Sequence, residues 1–96
     1  MIGVIVQVSV KAETLAAFEE SAHRLVQASR AHDAGLVSYD FGPVVEEGAE
    51  GDYAVIQRWE STEAYQAHLQ TPHYHQAVTE WEPLLNQPVS VKVYET

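Results

Sequence analysis

A ferredoxin-like α+β fold, with a four-stranded antiparallel sheet and helices on one face, is predicted by three observations. Four short runs alternate apolar and polar residues with the period of a strand. A longer segment, Thr14 to Ala31, repeats apolar residues at three- and four-residue spacings. The segments follow one another as β-α-β-β-α(α)-β, which is the order of a split βαβ unit.

The first strand runs from Ile2 to Val10. Ile2, Val4, Val6, Val8 and Val10 share one side, and Gly3, Ile5, Gln7 and Ser9 the other. In the main helix, Leu15, Phe18, Ala22, Leu25, Val26 and Ser29 form the apolar stripe. His23 and His32 fall on opposite sides of that helix and are expected in solvent.

Gly35 marks the end of the helix region, and Leu36 to Phe41 reads as a second strand. Its alternation places Val37, Tyr39 and Phe41 on one side and Leu36, Ser38 and Asp40 on the other. Gly42 to Asp52 is a Gly-rich acidic loop whose carboxylates lack the oxygen-ligand spacing of a calcium loop.

Tyr53 to Trp59 is the third strand. Ser61 is placed to cap a short helix over Thr62 to Gln70. Thr71-Pro72 stops that helix and starts another, from Pro72 to Trp81, with proline where a missing N–H does no harm. Tyr74, Val78, Trp81 and Leu85 give the last helix its stripe, and Val89 to Tyr94 is the final strand.

The 96 residues make a single domain, residues 1–96. Fourteen acidic residues against five basic ones give a formal charge of -9, which disfavours nucleic acid and anionic membrane as partners. Cysteine is absent, so disulfides, thiolate catalysis and Cys-based metal sites are excluded. No basic leader with an h-region opens the chain, and no apolar run approaches the roughly 20 residues of a membrane helix. A cytoplasmic location is the resulting expectation.

Chemistry concentrates between Trp59 and Tyr74. Tyr65 and His68 are three residues apart and share a helix face. His68 titrates near neutrality, which suits a general base. Trp59, Tyr65, Tyr74 and Tyr39 are candidates to wall a pocket or donate a hydrogen bond to a ligand. His73 is placed at the pocket mouth, Phe18 in its interior lining, and His75 in solvent. Each of these residues also has an ordinary explanation in core packing. His68, His73 and His75 have the spacing H-x4-H-x-H, which matches no recognised ligand set, so no metal is expected. No nucleophile elbow accompanies Ser38 or Ser61, and no phosphate-binding glycine loop is present.

Gly35-Leu36-Val37-Ser38-Tyr39, Trp59-Glu60-Ser61, Ala67-His68-Leu69 and Thr71-Pro72-His73, taken in that order, resemble the antibiotic biosynthesis monooxygenase superfamily. The resemblance extends from Ile2 to Tyr94. It implies a dimeric α+β barrel with a pocket between helices and sheet in each subunit. It also implies oxidation of quinols, anthrones or related phenolic compounds by molecular oxygen, with neither metal nor flavin. Other members isomerise small sugar phosphates or degrade haem. Val78 stands where the haem-degrading branch has its ligating histidine, and Val6 or Gln7 where it has an asparagine, which argues against that branch.

The leading expectation is therefore a cofactor-independent monooxygenase of a quinol-like or polyphenolic small molecule, with His68 as proton acceptor. An isomerase using His68 as base and a non-enzymatic dimeric ligand-binding protein are the alternatives. Ile5, Leu36 and Tyr94 leave apolar groups on the sheet face away from the helices. A homodimer packed through its sheet faces is predicted from them.

Overall fold

The computed structural model describes residues 1–96. Strands β1 (Ile2–Ser9), β2 (Leu36–Pro43), β3 (Asp52–Trp59) and β4 (Ser90–Glu95) form one antiparallel sheet in the order β2-β3-β1-β4. Helices α1 (Leu15–His32), α2 (Thr62–His68) and α3 (Pro72–Trp81) complete the ferredoxin-like fold. A 3-10 turn precedes α1 at Ala12–Thr14, and a second follows α3 at Glu82–Leu84.

β1 and β3 pair along their full length, Ile2 opposite Trp59 and Ser9 opposite Asp52. This register puts Ile2, Val4, Val6 and Val8 on the same side as Tyr53, Val55, Gln57 and Trp59, and all eight are buried. From α1 they receive Phe18, Ala22, Leu25 and Val26, the stripe that the spacing predicts. The two caps also form as expected. Ser61 Oγ accepts from Ala64 N at 3.1 Å, and Thr71 Oγ1 accepts from Tyr74 N at 3.2 Å.

β2 departs from simple alternation. A bulge between Leu36 and Ser38 shifts its register on β3, because one extra residue in a strand turns the following side chains to the other face. Leu36 consequently packs against the core and Val37 is 49% exposed, the reverse of the alternation read from sequence. Leu36 thus leaves the set of outward apolar residues.

Val78 in α3 is also exposed, and Ala77 is the buried residue of that helix. Val10 lies beyond β1 in an isolated bridge to Leu85, which itself lies past the end of α3. β4 is exposed along its whole length, so Val91 and Val93 show apolar surface as well as Tyr94, as does Val89 just before it. No helix is long and apolar enough to cross a membrane.

Candidate functional site

Three helix ends meet beside β2 and β3. Asp33 terminates α1, its backbone N–H returning to Ser29 O at 2.9 Å. His68 is the last residue of α2, and His73 follows Pro72 in the first turn of α3. The corner between α2 and α3 is fixed by Thr71, whose hydroxyl donates to His68 O at 2.7 Å while capping α3. Gly35 permits the turn between α1 and β2 to approach α2 closely. It has φ +83°, and an added Cβ would sit 2.6 Å from Ala64 Cβ.

His68 is buried in an aromatic cage. Its ring centroid is 4.8 Å from that of Trp59, 5.2 Å from Tyr74 and 5.7 Å from Tyr39. Nδ1 lies 2.6 Å from Asp33 Oδ2, a carboxylate oxygen that can only accept, so the shared proton belongs to Nδ1 in the neutral ring. Nε2 then carries the lone pair, and it is buried with no hydrogen-bond partner. Burial lowers the His68 pKa, with the Asp33 hydrogen bond opposing that shift in part. The ring is accordingly a neutral, oriented base at neutral pH.

A cavity of about 540 Å³ opens between the sheet and α3, with His68 in its wall. This volume is in the range that holds small organic ligands. Tyr39, Tyr65 and Tyr74 line it as the sequence suggests, together with the apolar side chains Leu25, Val55, Leu69 and Trp81. Burial raises the hydroxyl pKa of Tyr39 above its ordinary value, and that of Tyr65 likewise. Both remain protonated donors at neutral pH.

Trp59, by contrast, lies behind His68 rather than at the cavity surface. Its Nε1 donates to Gln57 Oε1 at 2.9 Å, and Gln57 reaches the cavity. Phe18 is fully buried at the other end of the core, against Tyr53, Phe41 and Trp81. Burial and a hydrogen bond to Glu19 push the Tyr53 hydroxyl there up to about 12. His73 is not in the cavity wall. Its Nε2 lies 2.8 Å from Asp33 Oδ1, out of line for a hydrogen bond. His75, His23 and His32 are exposed.

Asp33 and Gln57 are the residues that sequence reading overlooks. Asp33 follows the main helix as an ordinary polar terminator, and its partner is 35 positions away. Gln57 carried a usable signal: a lone amide on the strand face that otherwise bears Tyr53, Val55 and Trp59 needs a buried partner.

This combination of a four-stranded sheet, helices on one face and an internal cavity between them defines a ferredoxin-like α+β protein with a small-molecule-sized site. The family model for antibiotic biosynthesis monooxygenase matches residues 1–80. The YcnE protein of Bacillus subtilis (strain 168) is 32% identical over 84 residues, 88% of this chain and 85% of its own length. Rv0793 from Mycobacterium tuberculosis superposes with a TM-score of 0.88 at 25% identity, covering 99% of this chain and 93% of that one. A crystal structure of an antibiotic biosynthesis monooxygenase gives a TM-score of 0.88 at 23% identity, covering 100% and 98%. The chain belongs to the antibiotic biosynthesis monooxygenase family. Membership supports a general monooxygenase-like function on a small-molecule substrate.

Proposed function

We propose that this protein is a cofactor-independent monooxygenase of a quinol-like or polyphenolic substrate, and that His68 removes the substrate's proton. The observation that carries this reading is the state of one ring. His68 forms part of the wall of a mostly apolar cavity, with Nδ1 tied to Asp33 and Nε2 unpartnered.

Triplet oxygen reacts slowly with a phenol or an activated methylene, because one-electron transfer from the neutral molecule is uphill. Deprotonation by Nε2 leaves an anion that gives up an electron far more readily. Superoxide and the substrate radical then combine to a peroxide. For an anthrone, loss of water from that peroxide leaves a carbonyl where the methylene stood, so one oxygen atom enters the product and the other leaves in water. The apolar lining favours the step by limiting water around the anion, and the neutral Tyr39 and Tyr65 hydroxyls can hold the ring oxygens in place.

Oxygen uptake in the presence of a hydroquinone or an anthrone tests the reading. Uptake matched by substrate loss, and abolished in His68→Ala, supports it. Turnover without oxygen would instead favour isomerisation with the same base, and tight binding without turnover a ligand-holding role.

A homodimer is part of the same reading. Ile56 and Tyr94 on the outer sheet face, and Val91 and Val93 on the uncovered β4, expose more apolar surface than the core needs. Light scattering should report twice 10.7 kDa at micromolar concentration; a mass near 10.7 kDa would remove the dimer from the proposal.

A further inference from the structure

The geometry points to a second use of the three helix ends: Asp33, His68 and His73 form a binding site for one divalent transition-metal ion of the zinc class. Nothing in the role of His68 as a base requires His73, yet His73 is drawn into the same cluster. The nearest ligand atoms of the three residues all lie within 4.8 Å of one another.

Burial gives the cluster its significance. The Asp33 side chain is 4% exposed, that of His68 1% and that of His73 18%. Asp33 has no lysine or arginine partner, its only charge contacts being the two imidazoles. A carboxylate taken out of water needs a cation or a full set of donors. One aligned hydrogen bond, from His68, is what it has. The buried Nε2 of His73, aligned with no acceptor, completes a set of one oxygen and two nitrogen ligands within 4.8 Å of one another.

Two imidazoles and one carboxylate suit Zn2+ and its neighbours Co2+ and Ni2+, with water in the fourth position. The set offers too few oxygens for Ca2+ or Mg2+. Ligand atoms on a tetrahedral ion with bonds of about 2.0–2.1 Å stand about 3.3 Å apart. The present separations are 2.6 and 2.8 Å. These two contacts, to different oxygens of Asp33, need to open by about 0.5–0.7 Å, and the widest pair of ligand atoms, within 4.8 Å, to close by up to about 1.5 Å. Thr71 holds the His68–His73 corner in place throughout.

A consequence follows that rests on the monooxygenase reading. An ion on Nδ1 moves the ring proton of His68 to Nε2, and a ring protonated there cannot accept another from substrate. The ion is thus an inhibitor rather than a cofactor.

Isothermal titration of the chelator-treated, full-length protein with Zn2+, repeated with Co2+ and monitored by visible absorption, tests the site. One ion per chain is expected, with the intense d–d bands of a four-coordinate cobalt centre. His73→Ala and His73→Gln should each weaken Zn2+ by at least about 100-fold, beyond the 10–100-fold that loss of an outer-shell partner costs. His75→Ala should leave affinity unchanged. Absence of binding, or binding that survives both His73 variants, would overturn the site. The titration is independent of turnover, so a protein that binds Zn2+ but consumes no oxygen with any quinol retains the metal site and loses only the catalytic reading. Where oxygen uptake is found, Zn2+ should suppress it in the wild type and not in His73→Gln.

Discussion

Asp33 Oδ2 and His68 Nδ1 stand 2.6 Å apart across 35 positions of sequence, joining the end of the longest helix to the end of the shortest. The contact decides which nitrogen of the imidazole is free. Without Asp33, either tautomer is open to the ring, and no side-chain hydrogen bond fixes it.

Loss of the base should therefore differ from loss of its orienter. His68→Ala is expected to lower the oxygen-dependent rate by about 10²–10⁴-fold. Asp33→Ala should lower kcat by about 10²-fold with KM little changed, because the ring remains but is no longer held. Asp33→Asn should lose less, since its amide oxygen still accepts from Nδ1. Steady-state oxygen electrode measurements would separate the three.

The Trp59–Gln57 pair should be a stability determinant. Both side chains are buried, and their 2.9 Å hydrogen bond is the partner Trp59 Nε1 has. Gln57→Leu leaves that N–H unsatisfied and is expected to cost about 1–3 kcal/mol in urea denaturation. Equal stability of the variant would show that the indole finds another acceptor.

Gly35 is expected to tolerate no side chain. A methyl group there meets Ala64 Cβ at 2.6 Å while the backbone is held at φ +83°. The left-handed conformation and the overlap together should cost about 2 kcal/mol or more in Gly35→Ala. For a domain of this size that lowers Tm by about 10 °C in calorimetry. Because Gly35 is next but one to Asp33, the same change should loosen the Asp33–His68 contact.

Acid stability should carry the mark of Glu80. Hydrogen bonds from Ser21, Gln76 and Arg24 hold its carboxyl below the ordinary value of 4.5. The folded form thus releases this proton more readily than the unfolded form. Its stabilising contribution is complete above pH 4.5 and disappears as pH falls through the lowered value. Denaturation of wild type and Glu80→Gln should accordingly differ at neutral pH and converge in acid.

The order of strands and helices was legible because burial on one side imposes period two or period 3.6, and both periods are clean in β1, β3 and α1. The caps at Ser61 and Thr71 were legible because they are local chemistry. The bulge at Val37 was not, since it depends on how β2 sits against β3 rather than on either strand's own pattern. That one irregularity exchanges Leu36 for Val37 in the core. His68 and its tyrosines could be singled out from residue type and spacing. Asp33 was hidden because a carboxylate after a helix is ordinary until the fold brings an imidazole to it. Phe18 and Trp59 have the right chemistry for a pocket wall, but register carries the first to the far end of the core and sets the second behind His68.

β4 hydrogen-bonds to β1 alone, and no residue along it is buried. It is the one strand with no buried residue, which places it at the low end of the protein's opening free energies. Its amides should exchange with solvent before those of β3, which is paired on both sides. Val91 of this strand, with Val89 just ahead of it, also belongs to the cavity wall. The interior is therefore walled on one side by the least buried strand of the sheet, where the fewest buried side chains stand between the cavity and solvent.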